Sequence, residues 1–415
     1  MQNASRRKFL ASISAAASAG LVSLAPRAPG FLLESAALGA DRPAGDRILV
    51  VVQLSGGNDG LNTVIPYGDE IYRKKRPSLA LGADNVIKLE RDLGLHPRMK
   101  GAETLLEKRW LAVVQGVGYP NPNRSHFESM DIWHTAHTQP QDRAAGWLGR
   151  SFDAQRTAGR GSADPPGMHL GAESQPLALS ARDVPSPSIR SLDQFQLRVD
   201  GDAQRASAIQ AAASAPRRQA SELLKFVQTR TTAALEISRR ITAANQGYKT
   251  PVAYPETELA GKLKQVAQLI DAGLSTRVYY VALDGFDTHS DQANAHAGLL
   301  DQLAGGLAAF AEDLQNHGHL DRVVTLAFSE FGRRVEENAS RGTDHGAAAP
   351  VFLVGSKVKP GLIGQHPKLD DLADGDIKFH TDFRCVYAAL LAKWLGWPVE
   401  PILGEGFAPA AVLQA

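Results

Sequence analysis

Residues 47–60 read R-I-L-V-V-V-Q-L-S-G-G-N-D-G. The run from Arg47 to Leu54 is rich in β-branched residues and does not alternate between polar and apolar positions. Such a run predicts a strand of a parallel sheet that is buried on both faces. The glycines that follow allow a ligand to approach the backbone closely. Ligands of such sheets bind at the carboxyl ends of the strands, so this turn is also a candidate site.

Four further runs of the same kind predict the rest of the sheet, and segments with helical patterns lie beside them. The predicted strands are Trp110–Gln115, Val278–Leu283, Val323–Phe328 and Pro350–Gly355. The predicted helices are Ala102–Arg109, the amphipathic His296–His317 and Phe383–Leu395. Strands that alternate with helices predict an α/β fold, with a mostly parallel sheet between helices.

The segment 155–260 differs from its surroundings. Residues 155–220 are rich in Ala, Ser, Pro, Gly and Arg, and Ala203–Gln246 has a helical pattern that breaks near Pro216. We interpret 155–260 as a mainly helical insertion or cap over the sheet of a single domain that spans 46–415.

Composition excludes several classes of protein. Lys and Arg number 45 against 44 Asp and Glu, so no basic surface for nucleic acid is expected. A hydrophobic content of 43% excludes a disordered chain. A single cysteine, Cys385, excludes internal disulfides and thiolate metal clusters. Apolar runs stay shorter than the roughly 18 residues of a membrane span, so no transmembrane anchor is expected.

The first forty residues predict an export signal. Ser5-Arg6-Arg7-Lys8-Phe9-Leu10 precedes a short, alanine-rich apolar stretch that ends at Ala25. Paired arginines before such a stretch indicate a twin-arginine signal peptide over residues 1–40. A basic start to a cytosolic helix is the alternative. The first interpretation makes the twin-arginine translocase a partner and the periplasm the location.

Five polar clusters follow or approach the predicted strands at one edge of the sheet. They are Asn58–Gly60, Asn123–Ser129, Asp284–His289, Ser329–Arg334 and Gly342–Gly346. Each alone is also explained by turn, capping or surface ion-pair chemistry. Together they bring carboxylates and imidazoles to one place. Such a ligand set suits a divalent cation, and zinc best of all. The candidate ligands are Asp59, Asp287, His289, Glu330, Asp344 and His345.

Three further residues are candidates for catalysis. Ser125 precedes a predicted helix, and a helix N-terminus stabilises an anionic nucleophile. With Glu128 it also forms the pattern of a capping box, which would serve stability alone. Arg124 and Arg333 are candidates for binding the oxygens of an anionic group, and an ion pair with Glu330 is the alternative for Arg333.

These motifs resemble an exported family called domain of unknown function 1501. The segments that carry the resemblance are S-R-R-K-F-L, L-S-G-G-N-D-G-L-N, R-S-H-F-E-S, G-F-D-T-H-S-D-Q, F-S-E-F-G-R-R, G-T-D-H-G and T-D-F-R-C-V-Y. That family is grouped with the alkaline phosphatase and sulfatase superfamily, so the resemblance implies that fold. It also implies that Asp59 is the first metal ligand, that Ser125 is the nucleophile, and that His345 is the last ligand.

Two departures from the superfamily pattern leave two functions open. The chain has Asp287-x-His289 where the superfamily has Asp-x-x-x-His, and Glu330-Phe331 where it has Asp-His. Because Phe331 is no ligand, one ion and two ions both remain open. The first hypothesis is a periplasmic, metal-dependent hydrolase of phosphate or sulfate esters. The second is a superfamily member without catalysis that acts as an exported binding or assembly protein. Its partner would be a protein of another exported, uncharacterised family.

Overall fold

The computed structural model describes residues 46–90, 92–162, 164–190, 192 and 247–414. The predicted signal peptide and the predicted helix Ala203–Gln246 lie outside these ranges, and the segment 155–260 lies partly outside them. None of the helices in the described ranges has the length and apolar character that a membrane span requires.

Sixteen strands lie within the described residues. They are β1 (Ile48–Leu54), β2 (Val64–Ile65), β3 (Ile87–Glu90), β4 (Leu93–Leu95), β5 (Leu111–Gly118), β6 (Gly167–Leu170), β7 (Ser188–Ile189), β8 (Val278–Leu283), β9 (Val323–Ser329), β10 (Arg333–Glu337), β11 (Thr343–His345), β12 (Ala349–Val354), β13 (Gly361–Ile363), β14 (Leu372–Ala373), β15 (Asp376–Ile377) and β16 (Thr381–Asp382).

Eight α-helices lie within the same residues. They are α1 (Glu70–Lys75), α2 (Lys100–Glu107), α3 (His126–Thr135), α4 (Trp147–Thr157), α5 (Glu258–Asp271), α6 (Gln292–Asn316), α7 (Phe383–Ala389) and α8 (Glu400–Leu403). A π-helical turn, Leu390–Leu395, continues α7. Short 3-10 helices occupy Gly60–Asn62, Ala83–Asn85, Pro140–Asp142, Leu177–Leu179 and Leu320–Arg322.

The central sheet has nine strands in the order β13-β5-β12-β9-β1-β8-β6-β7, and β16 also pairs with β5. β1 is parallel to both of its neighbours, β8 and β9. The five predicted strands correspond to β1, β5, β8, β9 and β12, so the predicted α/β class with a mostly parallel sheet is confirmed. β12 is antiparallel to both β5 and β9. As a result, the residues that precede β12 lie at the carboxyl edge of the other strands.

Helices cover both faces of the sheet. Val50, Val52 and Leu54 pack into a core with α2, α5 and α6. Leu49 and Val51 pack into a second core with α3, α4 and α7. Because both sides of β1 are buried, its sequence has no polar alternation.

The segment 155–260 corrects one expectation. β6 and β7 lie inside it, yet β6 pairs with β8 and β7 extends the same sheet. Their sequences, G-M-H-L and S-I, are too short and too mixed to predict a strand. The first part of the segment therefore belongs to the sheet, and the insertion, which stays a prediction, would begin after β7 at the earliest.

Candidate metal centre

Loops from four parts of the chain meet at the carboxyl edge of the sheet. The loop after β8 carries Asp287 and His289, and Glu330 directly follows β9. His126 is the first residue of α3, the helix that follows β5. His345 ends β11, just before the antiparallel β12. The reversed direction of β12 is what brings His345 to this edge.

Four of these side chains form what we call the histidine cluster: His126, Asp287, His289 and His345. Asp287 Oδ1 lies 3.0 Å from His345 Nε2 and 3.1 Å from His289 Nε2. The two Nε2 atoms lie 2.9 Å apart. His126 Nε2 lies 3.4 Å from Asp287 Oδ2. Ligand atoms of a tetrahedral zinc ion with bonds of 2.0–2.1 Å lie about 3.3 Å apart, so the spacing fits a metal site.

Each histidine of the cluster is held through Nδ1 by an oxygen atom. The acceptors are Glu330 Oε1 for His126 (2.9 Å), Asp344 Oδ1 for His289 (3.3 Å) and the backbone oxygen of Arg124 for His345 (2.8 Å). Because carboxylate and carbonyl oxygens only accept, each Nδ1 donates and each Nε2 faces Asp287. Histidine ligands of a metal are oriented in this way, by an oxygen atom that accepts from the ring nitrogen facing away from the ion.

The histidine cluster is partly exposed to solvent, and its neighbouring charges shift the pKa values of its members. The side chain of Asp287 is 48% exposed and that of His345 is 19% exposed. Burial raises the pKa of Asp287, but the hydrogen bond from Arg333 and the neighbouring imidazoles of His345 and His289 outweigh this and lower it to about 2. The hydrogen bond with Glu330 raises the pKa of His126, and the charges of Glu330 and Asp287 add to this. The two carboxylates therefore favour a positive charge at this position.

Phe331 packs against two rings of the histidine cluster. It is buried, and its ring centroid lies 5.0 Å from that of His126 and 4.6 Å from that of His345. Phe331 therefore restricts the orientation of two imidazoles.

Arg333 is placed differently from the expectation that it binds an ester. Its side chain is fully buried, and it donates to Asp287 Oδ1 (2.8 Å). Its other bonds go to the backbone oxygens of Gly56, Gly57 (2.8 Å), Phe286 (2.9 Å) and Thr343 (2.8 Å). Because these acceptors occupy the guanidinium, Arg333 ties the loops together, and a substrate does not reach it.

Asp59 is also placed apart from the histidine cluster. It is 1% exposed, and its Oδ2 lies 2.5 Å from Nη1 of the equally buried Arg76. Burial raises the pKa of Asp59, but the Arg76 charge and hydrogen bond hold it below its usual value. The carboxylate is neutralised inside the protein, which argues against the expected role of Asp59 as a ligand. The sequence did not identify Arg76, 17 residues further along, as a buried partner of Asp59.

Asp59 belongs to what we call the buried cluster: Asn58, Asp59, Arg76, Gln292 and His296. Gln292 donates to Asp59 through Nε2. Its Oε1 accepts from Thr288 Oγ1 (3.1 Å) and from Thr343 Oγ1 (2.6 Å). His296 Nε2 lies 2.9 Å from Asn58 Oδ1. Thr288 lies between Asp287 and His289, so the buried cluster positions a loop that carries the histidine cluster.

Ser125 is the N-cap residue of α3, as expected, but the capping box is wrong. Its side chain makes no capping hydrogen bond, and Glu128 instead pairs with Arg143 at 2.7 Å. Ser125 is exposed, so its hydroxyl is accessible to a ligand. Arg124 donates to Asp376 Oδ2 from Nε at 2.8 Å, and its side chain remains 39% exposed.

His126, Arg76 and Gln292 are the residues that the sequence analysis missed. His126 stands beside Ser125 in the motif R-S-H-F-E-S, so its position at the start of a helix after a buried strand was the available signal. Nothing in the sequence separates Arg76 or Gln292 from ordinary surface residues.

Comparison with known proteins gives a family match. Residues 46–381 match the family described as "Protein of unknown function (DUF1501)". A search of curated proteins found no match.

Solved structures with a similar arrangement share little sequence with this chain. The zinc complex of the C-terminal periplasmic domain of EcEptC from Escherichia coli is 10% identical with a TM-score of 0.38, covering 76% of this chain and 75% of that one. A protein in the alkaline phosphatase superfamily from Vibrio parahaemolyticus is 6% identical with a TM-score of 0.39, covering 86% and 68%. The lipoteichoic acid synthase LtaP from Listeria monocytogenes is 9% identical with a TM-score of 0.33, covering 77% and 68%. Because these TM-scores are low, the function has to be argued from the residues of this chain.

Proposed function

This chain belongs to the DUF1501 family, and on that premise we propose that its histidine cluster binds one zinc ion and hydrolyses phosphate or sulfate esters with it. The proposal includes export of the protein to the periplasm.

The convergence of three imidazoles on one carboxylate carries the proposal. Nδ1 of each histidine is hydrogen-bonded to an oxygen, so three Nε2 atoms point towards Asp287. In the neutral imidazoles these are lone pairs, which repel each other and the carboxylate unless a cation lies between them. Neutral imidazole and carboxylate ligands at this spacing suit zinc. Glu330 and Asp344 then orient His126 and His289 through hydrogen bonds to Nδ1, rather than binding the ion themselves.

Residues around the cluster supply the remaining parts of an ester-cleaving site. A zinc ion would supply a Lewis acid that neutralises charge on the ester oxygens. Ser125 has an exposed hydroxyl at the N-terminus of α3, where the helix dipole favours an anionic oxygen. We assign it the role of nucleophile. Arg124, held by Asp376 and 39% exposed, binds the anionic group of the substrate.

The number of protein ligands supports a second candidate function. Four protein side chains would complete a tetrahedral zinc site, and closed sites of that kind are structural. The three-residue set of His126, Asp287 and His345, whose ligand atoms all lie within 4.8 Å of one another, leaves a position open for catalysis. A closed site favours an exported binding or assembly protein, whose partner belongs to another exported family.

Metal content and ester turnover test the two candidates. We expect one zinc per chain in the full-length protein by mass spectrometry of metals, and none in His345→Ala. His317→Ala, at the far end of α6, is the matched control and should keep its zinc. Wild-type protein without zinc would overturn the proposal. Zinc without turnover of p-nitrophenyl phosphate or p-nitrophenyl sulfate would favour the second candidate.

His289→Ala determines whether the site is open or closed. An enzyme with the three-residue set should retain zinc and turnover in this variant, whereas a closed four-ligand site should lose affinity for zinc.

Export is tested by replacing both Arg6 and Arg7 with Lys. The twin-arginine route requires the arginine pair, so the precursor should accumulate in the cytoplasm. Normal periplasmic accumulation of this variant would contradict the proposed route.

A further inference from the structure

A second set of reactive side chains lies one strand away from the loop that carries Asp287. His169 in β6 is in register with Ser188 in β7. Ser188 Oγ lies 2.7 Å from His169 Nδ1, and His169 Nε2 lies 3.3 Å from Glu173 Oε1. A hydroxyl, an imidazole and a carboxylate are therefore linked in one hydrogen-bonded chain, which is the arrangement of an activated nucleophile, its base and the group that orients the base.

The three side chains of this hydrogen-bonded set differ in their exposure to solvent. The imidazole of His169 is 0% exposed, whereas Ser188 is exposed to solvent. Glu173 is 34% exposed, and Lys262 Nζ lies 3.1 Å and 3.3 Å from its two oxygens. The base is thus shielded from water while the hydroxyl is accessible to a substrate.

The hydrogen bonds set the tautomer that a general base requires. Burial raises the pKa of Glu173, but hydrogen bonds from His169, from its own backbone and from Lys262 outweigh this and lower it to about 2. An ionised Glu173 accepts from the Nε2–H of His169, which leaves the lone pair of Nδ1 facing the hydroxyl of Ser188.

The backbone of β7 offers a donor to the substrate. The backbone oxygens of Pro187 and Ile189 bond to β6, so by alternation the N–H of Ser188 points away from that strand. β7 is the last strand in the order of the sheet within the described residues. An N–H group at such an edge is free to donate to a carbonyl oxygen.

We propose that Ser188, His169 and Glu173 form a second, metal-independent catalytic site that hydrolyses carboxylic esters. Ser188 Oγ attacks the ester carbonyl carbon while its proton passes to His169 Nδ1. The carbon–oxygen bond to the alcohol breaks, and the alcohol oxygen takes the proton from His169. Water then releases the acid from Ser188 by the same proton route. Glu173 remains ionised throughout and stabilises the imidazolium.

A purely structural role predicts the same contacts without reactivity. In that case Ser188 and Glu173 simply satisfy the nitrogens of a buried imidazole. The two roles differ in how Ser188 responds to an electrophile. A fluorophosphonate tests this directly, because an activated serine displaces its fluoride and forms a stable phosphorus–oxygen bond.

The experiment treats the full chain with a fluorophosphonate probe in the presence of EDTA and locates the label by peptide mass spectrometry. We expect one label, on Ser188, and no label on that peptide in Ser188→Ala. His169→Gln should slow labelling by roughly 100-fold or more, as loss of a general base does. The exposed Ser290 supplies the control variant, Ser290→Ala, which should label like wild type.

Each other outcome overturns the proposal. An unlabelled wild type, or a label on another serine, excludes Ser188 as an activated nucleophile. Should His169→Gln fail to fold, Glu173→Gln provides the same test, since it should slow labelling while the unfolding midpoint stays near that of wild type. Labelling that requires zinc would place the nucleophile in the histidine cluster. Because EDTA removes zinc, an unlabelled Ser188 would not affect the zinc proposal. Likewise, failure of the zinc proposal would not affect the proposal for Ser188.

Discussion

The histidine cluster and the buried cluster use the same residue types at the same edge of the sheet, but they balance charge in opposite ways. Asp59 is 1% exposed and faces Arg76 and Gln292. Asp287 has a side chain that is 48% exposed and faces three imidazoles as well as Arg333. Asp59 has its balancing charge inside the protein. Asp287 shares a single arginine with several backbone oxygens, and the space between it and the imidazoles suits an added cation.

The two clusters therefore have different roles at one edge of the sheet: the buried cluster fixes the loops, and the histidine cluster offers ligands for chemistry. A buried carboxylate is tolerated when an arginine and hydrogen bonds satisfy it, and such an arrangement fixes loop geometry. An exposed group of converging nitrogen and oxygen atoms contributes little to folding, because water solvates it well in the unfolded chain. Substitutions in the two clusters should therefore affect different measurements.

The largest effect is expected from Arg76→Met. The variant leaves the carboxylate of Asp59 buried without its charge partner, which should lower the free energy of unfolding by about 3–5 kcal/mol. Urea denaturation measures this. The control is Lys75→Met, which breaks the exposed pair with Glu336 and should cost less than about 1 kcal/mol. Equal losses in the two variants would mean that the buried Asp59–Arg76 pair contributes no more to stability than an exposed ion pair, which would contradict the distinction between the clusters.

Asp344→Ala should weaken zinc binding by roughly 10–100-fold in a closed four-ligand site, where Asp344 orients the ligand His289, and should leave it unchanged in the open three-residue site. Competition with a chromophoric chelator measures the affinity. Asp284→Ala removes an exposed carboxylate that bonds to its neighbouring backbone N–H, so it controls for the loss of local charge. If both variants lose the same affinity, the effect of Asp344 is charge alone.

A smaller effect is expected from His296→Gln, and it depends on pH. Burial lowers the pKa of His296 to about 4, whereas an exposed histidine titrates near 6.5. Between these values the unfolded chain binds the proton, so acidification through this range destabilises the fold. The variant should lose stability less steeply, by about 1.4 kcal/mol per pH unit. Parallel stability curves for variant and wild type from about pH 6.5 to 4 would contradict this.

The smallest effect on stability is expected from Ser125→Ala. Its hydroxyl makes no capping bond, so the free energy of unfolding should change by less than about 0.5 kcal/mol. Asp69→Ala removes a cap that accepts from the N–H of Ile71 at 2.7 Å and should cost about 0.5–2 kcal/mol. Zinc-dependent ester turnover should fall only in Ser125→Ala. Unchanged turnover there would exclude Ser125 as nucleophile.

The sequence predicted the long elements and their common edge because periodicity and apolar runs are local properties. The direction of β12 was not predictable, since a strand pattern is the same in either direction. Asp59 and Asp287 were grouped together because both follow a strand, and the sequence does not reveal which loop turns inward. That depends on Arg76, which directly follows α1, and on Gln292 in α6, and both are recognisable as partners only after folding.

The reversed β12 also determines when the histidine cluster exists. The hydrogen bond between the backbone oxygen of Arg124 and His345 Nδ1 joins residues 221 positions apart. At synthesis rates of about 5–20 residues per second, roughly 10–45 s separate the appearance of these two residues at the ribosome. During that interval His126 is present without His345. Zinc loading would therefore be restricted to chains whose synthesis has passed His345, and bound metal would mark molecules in which the loops of the histidine cluster have come together.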